Sequence, residues 1–468
     1  MSLAPTLISG MSDDEQREVA RLIAQVESHS VANFEANAYY EASARLRSPG
    51  FTIPADVASR LAPVFGAPGT VVDVLDERLD FTGWDDVGQV GLGLDEVYDD
   101  NELDSEAPMA HLDALIYGTS FVRVGRVGDR ALVTMHAPTS TTGRRDPATR
   151  RLVSAWSTIE SRDGRAVRGV LDLPDVSITV ARRGARWVVE DRDEHNLGRV
   201  AVVQLTNRPR GSRPGGRSEI TKAIRSLTED MMRAALGMNV NTMFYSIPQL
   251  MVLGRGKDAF VDRNGNPVSG WRILAGHALA IDKDEDGDRP DVKQLTMASP
   301  TPFIEQLREF RMQVASEAGM PADYLGIQTS NPSSADAIRA GEARLVKRAE
   351  RRQAAFGRAW LEVARLAVLM RDGSIPDDFG SRVSVDWLPA ATPTRAATAD
   401  EVAKLVGAGI LAPDSAVVTK RLGLSRSEER ILEQERRRSD GAAVVAALAA
   451  QAPAEAPDTR ADVDGGNG

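Results

Sequence analysis

The strongest constraint in this 468-residue chain is an unbroken helical periodicity over residues 335–371. Ile338, Leu345, Ala349, Phe356, Trp360, Val363, Ala367 and Met370 recur at the spacing of one helix face, so one stripe has to be covered by other parts of the chain. Nine basic and four acidic residues line the remainder, a balance of 9 − 4 = +5. Ser334 stands at the N-cap position, where its hydroxyl can accept a bond from an otherwise unpaired amide. Ahead of it, Gly326 to Ser334 is a polar loop.

Two shorter stripes precede that loop. Ser218 is placed to cap a helix whose apolar face runs Ile220, Ile224, Leu227, Met231, Ala235, Met238. It must end by Ile247, because the residue before Pro248 is pushed out of the helical region. Thr301 and Pro302 open a second helix, with proline at a tolerated first-turn position, and Gly319-Met320-Pro321 stops it. Its stripe Phe303, Leu307, Phe310, Val314 is set to bury against the partner helix or a neighbouring subunit. Residues 249–300 between them form a compact insert, with strands at Leu250–Leu253 and Ala278–Ile281 and a turn at Arg263–Pro267.

The N-terminal part reads as α+β over about 10–206. Ser12-Asp13-Asp14-Glu15 is a capping box, followed by a helix with Val19, Leu22, Val26 and Phe34 on one side. From Asp73 to Glu106 there are thirteen acids and one base, Arg78, with apolar positions interspersed. That mixture is the acidic surface of a folded region and not a disordered tail. Strand patterns follow at 120–125 and 131–136 around Gly128-Asp129, a hairpin signal, then at Leu152–Ile159, Ser177–Ala181, Trp187–Glu190 and Val200–Leu205. Asn207–Arg217 is a loop whose four arginines suit a solvated connector, or contacts to phosphate. After the long helix come a strand at Arg382–Leu388 and short helices capped at Thr398-x-x-Glu401, Pro413-Asp414 and Ser425-x-x-Glu428. The last twenty residues are rich in Ala, Pro, Gly and Asp and read as disordered.

Composition and motifs exclude several chemistries. Lys plus Arg is 57 and Asp plus Glu is 67, a formal charge of −10, which argues against a simple basic nucleic-acid binder. Cysteine is absent, so there is no disulfide framework, thiol nucleophile or zinc–thiolate site. The opening residues read as no signal peptide, and no apolar run reaches the roughly 18–20 residues of a membrane span. His29, His111, His136, His195 and His277 are scattered and read as structural. Gly254-Arg255-Gly256-Lys257 lacks the spacing of a phosphate loop, having Met251 and Asp258 at the defining positions. Asp282-x-Asp284-x-Asp286-Gly287 begins like a calcium loop but carries Lys293 where a bidentate Glu belongs. No enzyme signature, cofactor or metal is therefore expected. The general alternatives left open are a nucleic-acid-processing enzyme with an unrecognised site, or a monomeric helical scaffold.

Three stretches together resemble the portal proteins of tailed bacteriophages, in the branch of long-tailed actinobacteriophages. They are LDEVYDDNELDSEA (94–107) through HLDALIYGTSFVRV (111–124), GRSEITK (216–222) leading to IPQL (247–250), and PADYLG (321–326) followed by SSADAIRAGEARLVK (333–347). The resemblance spans roughly 10–440. It implies an α+β portal-like subunit: an N-terminal wing over 1–217, a first stem helix over 218–248, a clip over 249–300 and a second stem helix over 301–320. A tunnel loop region over 321–334 follows, then a long wing helix and wing return over 335–394, a helical crown over 395–449 and a tail over 450–468. It also implies a homo-oligomeric ring, usually a dodecamer, at the capsid vertex of the virion, assembled in the host cytoplasm. Its partners would be double-stranded DNA, the terminase large subunit, the head–tail connector or adaptor, and the major capsid and scaffold proteins, with no membrane. Gln328, Thr329, Ser330, Asn331, Ser333 and Ser334 would face DNA. Arg255, Lys257, Arg263 and Arg272 would meet the motor and connector.

Overall fold

The computed structural model describes residues 8–46, 61–87, 91–245 apart from 185, 249–253, 291–295, 299–327, 335–391, 395–424 and parts of 428–442. The chain divides into two units, Met1–Ala390 and Ala391–Gly468.

In the first unit, a short β1 (Ile8–Ser9) leads into α1 (Asp13–Tyr40). Ser12 and Glu15 close the expected capping box in both directions. The apolar face of α1 buries Val19, Leu22 and Ile23, but Phe34, expected on that face, is 75% exposed. The stripe advances seven residues from Val26 to Asn33 instead. Asn33 is buried and its Nδ2 donates to the Pro138 carbonyl at 3.2 Å, which fixes the helix rotation and turns Val31 and Phe34 outward.

The acidic segment is more regular than its composition suggests. It holds α2 (Ala67–Asp76), β2 (Phe81–Asp86), α3 (Leu94–Asp100) and α4 (Leu103–Tyr117). Strands β3 (Thr119–Val127) and β4 (Arg130–His136) form the expected hairpin, and β10 (Val202–Thr206) pairs antiparallel on the far side of β3. The other sheet is a meander of β5 (Thr141–Arg145), β6 (Leu152–Arg162), β7 (Arg165–Asp172), β8 (Ser177–Arg183) and β9 (Arg186–Asp193), with β1 added parallel to β9. α1 lies on this sheet against Trp156, Leu171, Ile178 and Val180.

Next come α5 (Lys222–Tyr245), the antiparallel pair β11 (Gln249–Leu253) and β12 (Asp291–Leu295), and α6 (Thr301–Ala318). A short 3-10 turn at Ala322–Leu325 precedes α7 (Ala335–Asp372), the long helix read from the sequence. The unit closes with α8 (Phe379–Arg382) and β13 (Val383–Trp387), which pairs antiparallel with β2. As expected, the α7 stripe is the core: Leu345, Ala349, Phe356, Trp360, Val363 and Ala367 are buried. Trp360 stacks on Phe81 with centroids 4.6 Å apart, and its indole N–H donates to His111 Nε2 at 2.8 Å. Trp84 in turn donates to the Trp360 carbonyl at 3.0 Å.

The second unit contains α9 (Arg395–Gly407) and α10 (Ala416–Leu422). Its capping differs from expectation. Thr398 lies inside α9, which starts at Arg395. Ser415, not Pro413-Asp414, caps α10, its side chain accepting from the Val417 amide. A serine hydroxyl two residues before a free amide outcompetes the aspartate one step further out.

Candidate functional site

The two shorter helices and the strands between them form one helical hairpin. β11 follows α5 in the chain and pairs with β12, and α6, which follows β12, packs against α5. The close approach is made by Gly237 of α5, where an added Cβ would sit 2.9 Å from Phe303 Cε1 of α6. Phe303, Leu307 and Phe310 are half-buried and Val314 is fully buried. Leu307 and Phe310 pack onto the core of their own chain, so of the two positions open to this stripe it takes the intramolecular one. Ile304 and Met312 of α6 are 55% and 46% exposed.

The start of α5 departs from the sequence reading. The helix begins at Lys222, with the Thr221 hydroxyl accepting from the Ile224 amide at 3.3 Å. Ser218 instead accepts from the Ile220 amide at 3.0 Å, before the helix. The turn is held out of the helix because Glu219 is used elsewhere. Its amide donates to the Leu115 carbonyl at 2.9 Å, and its carboxylate is fully buried among arginines.

That cluster is the electrostatic centre of the unit. Arg352 Nη2 reaches Glu219 Oε1 at 2.5 Å, while Arg348 Nη2 and Arg208 Nη1 reach Oε2 at 2.7 and 3.3 Å. Asn207 Nδ2 donates to Oε1 at 3.0 Å, and Asn207 Oδ1 accepts from Arg352 Nε at 3.2 Å. Burial by itself pushes the Glu219 carboxyl up. Arg352 and Arg348, with the bonds from Arg352 and Asn207, outweigh that and hold it below the usual carboxylate range. Three cations share one anion, and burial pulls the Arg348 guanidinium below its ordinary value. Two glycines allow the chain to converge here. Gly216 has φ +81°, and a Cβ there would lie 2.2 Å from the Gly118 carbonyl.

A second buried cation ties α7 to the turn before it. Arg78 donates to the Ala390 carbonyl at 2.9 Å and to Tyr324 Oη and Glu342 Oε1 at 3.0 Å each. Tyr324 donates to the same Glu342 oxygen at 2.7 Å. Neither cluster was anticipated as such. The available signal was the lone Glu219 inside an arginine-rich stretch and the i, i+4 pair Arg348 and Arg352 beside the apolar stripe.

The residues expected to face DNA, Gln328, Thr329, Ser330, Asn331, Ser333 and Ser334, lie outside the described residues. Their flanks are placed: Gly326 ends the 3-10 turn in the left-handed conformation, and α7 starts at Ala335. Arg255, Lys257, Arg263 and Arg272, the strand at Ala278–Ile281 and the Asp282–Gly287 turn also lie outside, between β11 and β12. Among the described residues no group of three or more His, Asp or Glu side chains is placed to hold a metal ion, and no helix is long and apolar enough to cross a membrane.

Residues 65–439 match the family described as "Phage portal protein, SPP1 Gp6-like". The chain belongs to the phage portal protein family. A portal protein of Mycobacterium phage D29 is 34% identical over 385 residues, covering 79% of this chain and 78% of the relative. One from Mycobacterium phage L5 is 31% identical over 418 residues, covering 86% and 85%. The resemblance to actinobacteriophage portal proteins is thus borne out over most of the chain. Among solved structures, the neck of a native GTA particle computed with C12 symmetry aligns at 13% identity with a TM-score of 0.43, covering 87% of this chain and 98% of that one. In this portal protein the first two stretches that carry the resemblance meet in space, and the third is anchored by a buried arginine outside all three. Gly118 and Leu115 of the first touch Gly216 and Glu219 of the second. Tyr324 and Glu342 of the third share Arg78.

Proposed function

We propose that this chain assembles into a closed ring, a dodecamer, at the capsid vertex. Double-stranded DNA passes through the ring during packaging and ejection. The α5–α6 hairpin is the stem, and the insert bounded by β11 and β12 is the clip that docks the terminase large subunit and later the head–tail connector. The sheets and α7 form the wing, against the major capsid and scaffold proteins. The loop 328–334 lines the tunnel, and α9 with α10 belongs to the crown. The ring is assembled in the host cytoplasm and carries no catalytic step of its own.

The observation that carries this reading is the continuity of the family match. It runs from residue 65 to 439 and so includes the helical hairpin, its insert and α7 in a single stretch. Two physical points support it. A ring repeats one heterologous contact until it closes, and α6 keeps Ile304 and Met312 exposed after packing its main stripe internally. A net charge of −10 also leaves duplex DNA mobile in a channel, where a strongly basic lumen would hold it through counterion release. Negative-stain imaging and mass photometry of the purified chain test the proposal. Rings with a central hole are expected, and a monodisperse monomer at all concentrations would overturn it.

A further inference from the structure

The six-stranded sheet carries a feature that a DNA tunnel does not use. Its two hairpins, β6–β7 and β8–β9, end side by side, because β7 pairs with β8 from Arg168–Ala181 onward. The turns pair Arg162 with Arg165 and Arg183 with Arg186. The segments 160–168 and 181–190 hold six arginines, no lysine and three carboxylates. This is a basic tip on a chain whose net charge is −10.

The carboxylates do not answer the whole set. Glu190 reaches Arg168 at 2.7 Å and Arg183 at 3.9 Å, and Glu160 reaches Arg162 at 2.9 Å. Arg162 keeps 77% of its side chain exposed despite that bond. Arg165 and Arg186 are exposed and carry no ion pair among the described residues. Arg182 donates its Nε to the Gly184 carbonyl at 3.2 Å and carries no ion pair among the described residues. Arg162, Arg165 and Arg182 line an open cleft of about 530 Å³ together with Asp163, Val167 and Gly184. A Cβ added at Gly164 or Gly184 would meet nothing within 4 Å, so a bulky partner can approach both turns.

We infer that this tip is a second binding surface for double-stranded DNA, outside the tunnel, with Arg162, Arg165, Arg182 and Arg186 contacting backbone phosphates. Guanidinium groups present planar, paired donors to phosphate oxygens. Phosphate-only contacts carry no sequence information, as suits a surface met by any genome. Several exposed arginines with too few carboxylates beside them match a polyanion better than a single small anion. The inference rests on the portal reading only for the identity of that polyanion.

The test uses covalently closed circular duplex, which cannot thread a preassembled ring and so reports binding outside the tunnel. Four phosphate contacts give a salt slope near −3.6, so affinity should fall on the order of 100-fold between about 50 and about 200 mM salt. Replacing Arg162, Arg165, Arg182 and Arg186 together with Gln should abolish that slope, with assembly unchanged. The corresponding Lys variant should keep most of it. Equal binding of circular duplex by the wild type and the Gln variant, or none by the wild type, overturns the inference. Loss of assembly in the Gln variant would show the tip to be a contact between copies and overturns it too. If the wild type proves monomeric, the portal reading fails, yet the same titration still decides the tip.

Discussion

Glu219 shows how much one buried charge can hold together. It is fully buried and joins the chain before α5 to Arg348 and Arg352 of α7. Removing one partner from such a cluster leaves uncompensated buried charge, at a cost of roughly 3–5 kcal/mol. Glu219→Gln should therefore lower the urea midpoint by that equivalent, with little change in the slope; wild-type stability would contradict the assignment. Because the folded carboxyl titrates below its unfolded value, its contribution is complete above about pH 4.3 and is lost as pH falls through the lowered native value. His111 acts over a different range. Burial pushes its imidazole down to about 3, consistent with Nε2 accepting from Trp360. The unfolded chain takes up a proton near pH 6.5 that the native state refuses, so stability should fall by up to about 1.4 kcal/mol per pH unit from there toward pH 3. Asp76 opposes this. Burial, then Asp73, raises it to about 7, so the native state holds a proton that the unfolded state has released, and stability drops as pH rises from about 4 to 7. His111→Gln should flatten the first slope and Asp76→Asn the second, in urea unfolding followed against pH. An unchanged profile in either variant would show that the group does not titrate as its burial dictates.

Among the elements, the helices divide into those legible from their periodicity and those that are not. α7, α5 and α6 each bury one face, and a single face leaves a stripe that can be read directly. α4 buries Leu103, Ala107, Ala110, His111, Ala114, Leu115 and Ile116, but its exposed side carries the apolar Met109 beside Asp104 and Ser105 and its buried side carries a histidine, so the apolar residues of the sequence do not mark one clean stripe. β2 was missed for another reason: its partner β13 lies some three hundred residues away in sequence, and nothing local signals that pairing. On α6, Phe303, Leu307, Phe310 and Val314 serve the chain's own packing, so the exposed Ile304 and Met312 are the positions left for a neighbour. Ile304→Asp with Met312→Asp should leave the helical signal and thermal midpoint near wild type while shifting assembly toward monomers by mass photometry. Leu307→Asp should instead destabilise the subunit itself. Rings that survive the double substitution would move the contact to another face.

At the level of the whole molecule, function depends on loops whose neighbours are set by the core. The tunnel proposal places Thr329 and Asn331 in the seven residues between Ile327 and α7. Neutral hydroxyl and amide groups can bond phosphate oxygens without the counterion release that makes lysine contacts tight. Thr329→Lys with Asn331→Lys should slow the gain of nuclease-protected DNA per head, most strongly at low salt; wild-type kinetics at both salt levels, with rings intact, would remove the loop from the tunnel. The sequence alone determined the hairpin of α5 and α6, the length of α7, three strands of the six-stranded sheet (β6, β8 and β9) and the family, because each rests on local periodicity, turn residues or an ordered set of short motifs. The tertiary structure alone decided that Phe34 faces outward while Asn33 is buried, that Glu219 leaves the helix to meet two arginines over 125 residues further on, and that β2 pairs with β13. These outcomes are contests between partners distant in the chain. They are settled by which buried polar group finds its hydrogen bonds, and no local pattern records the result.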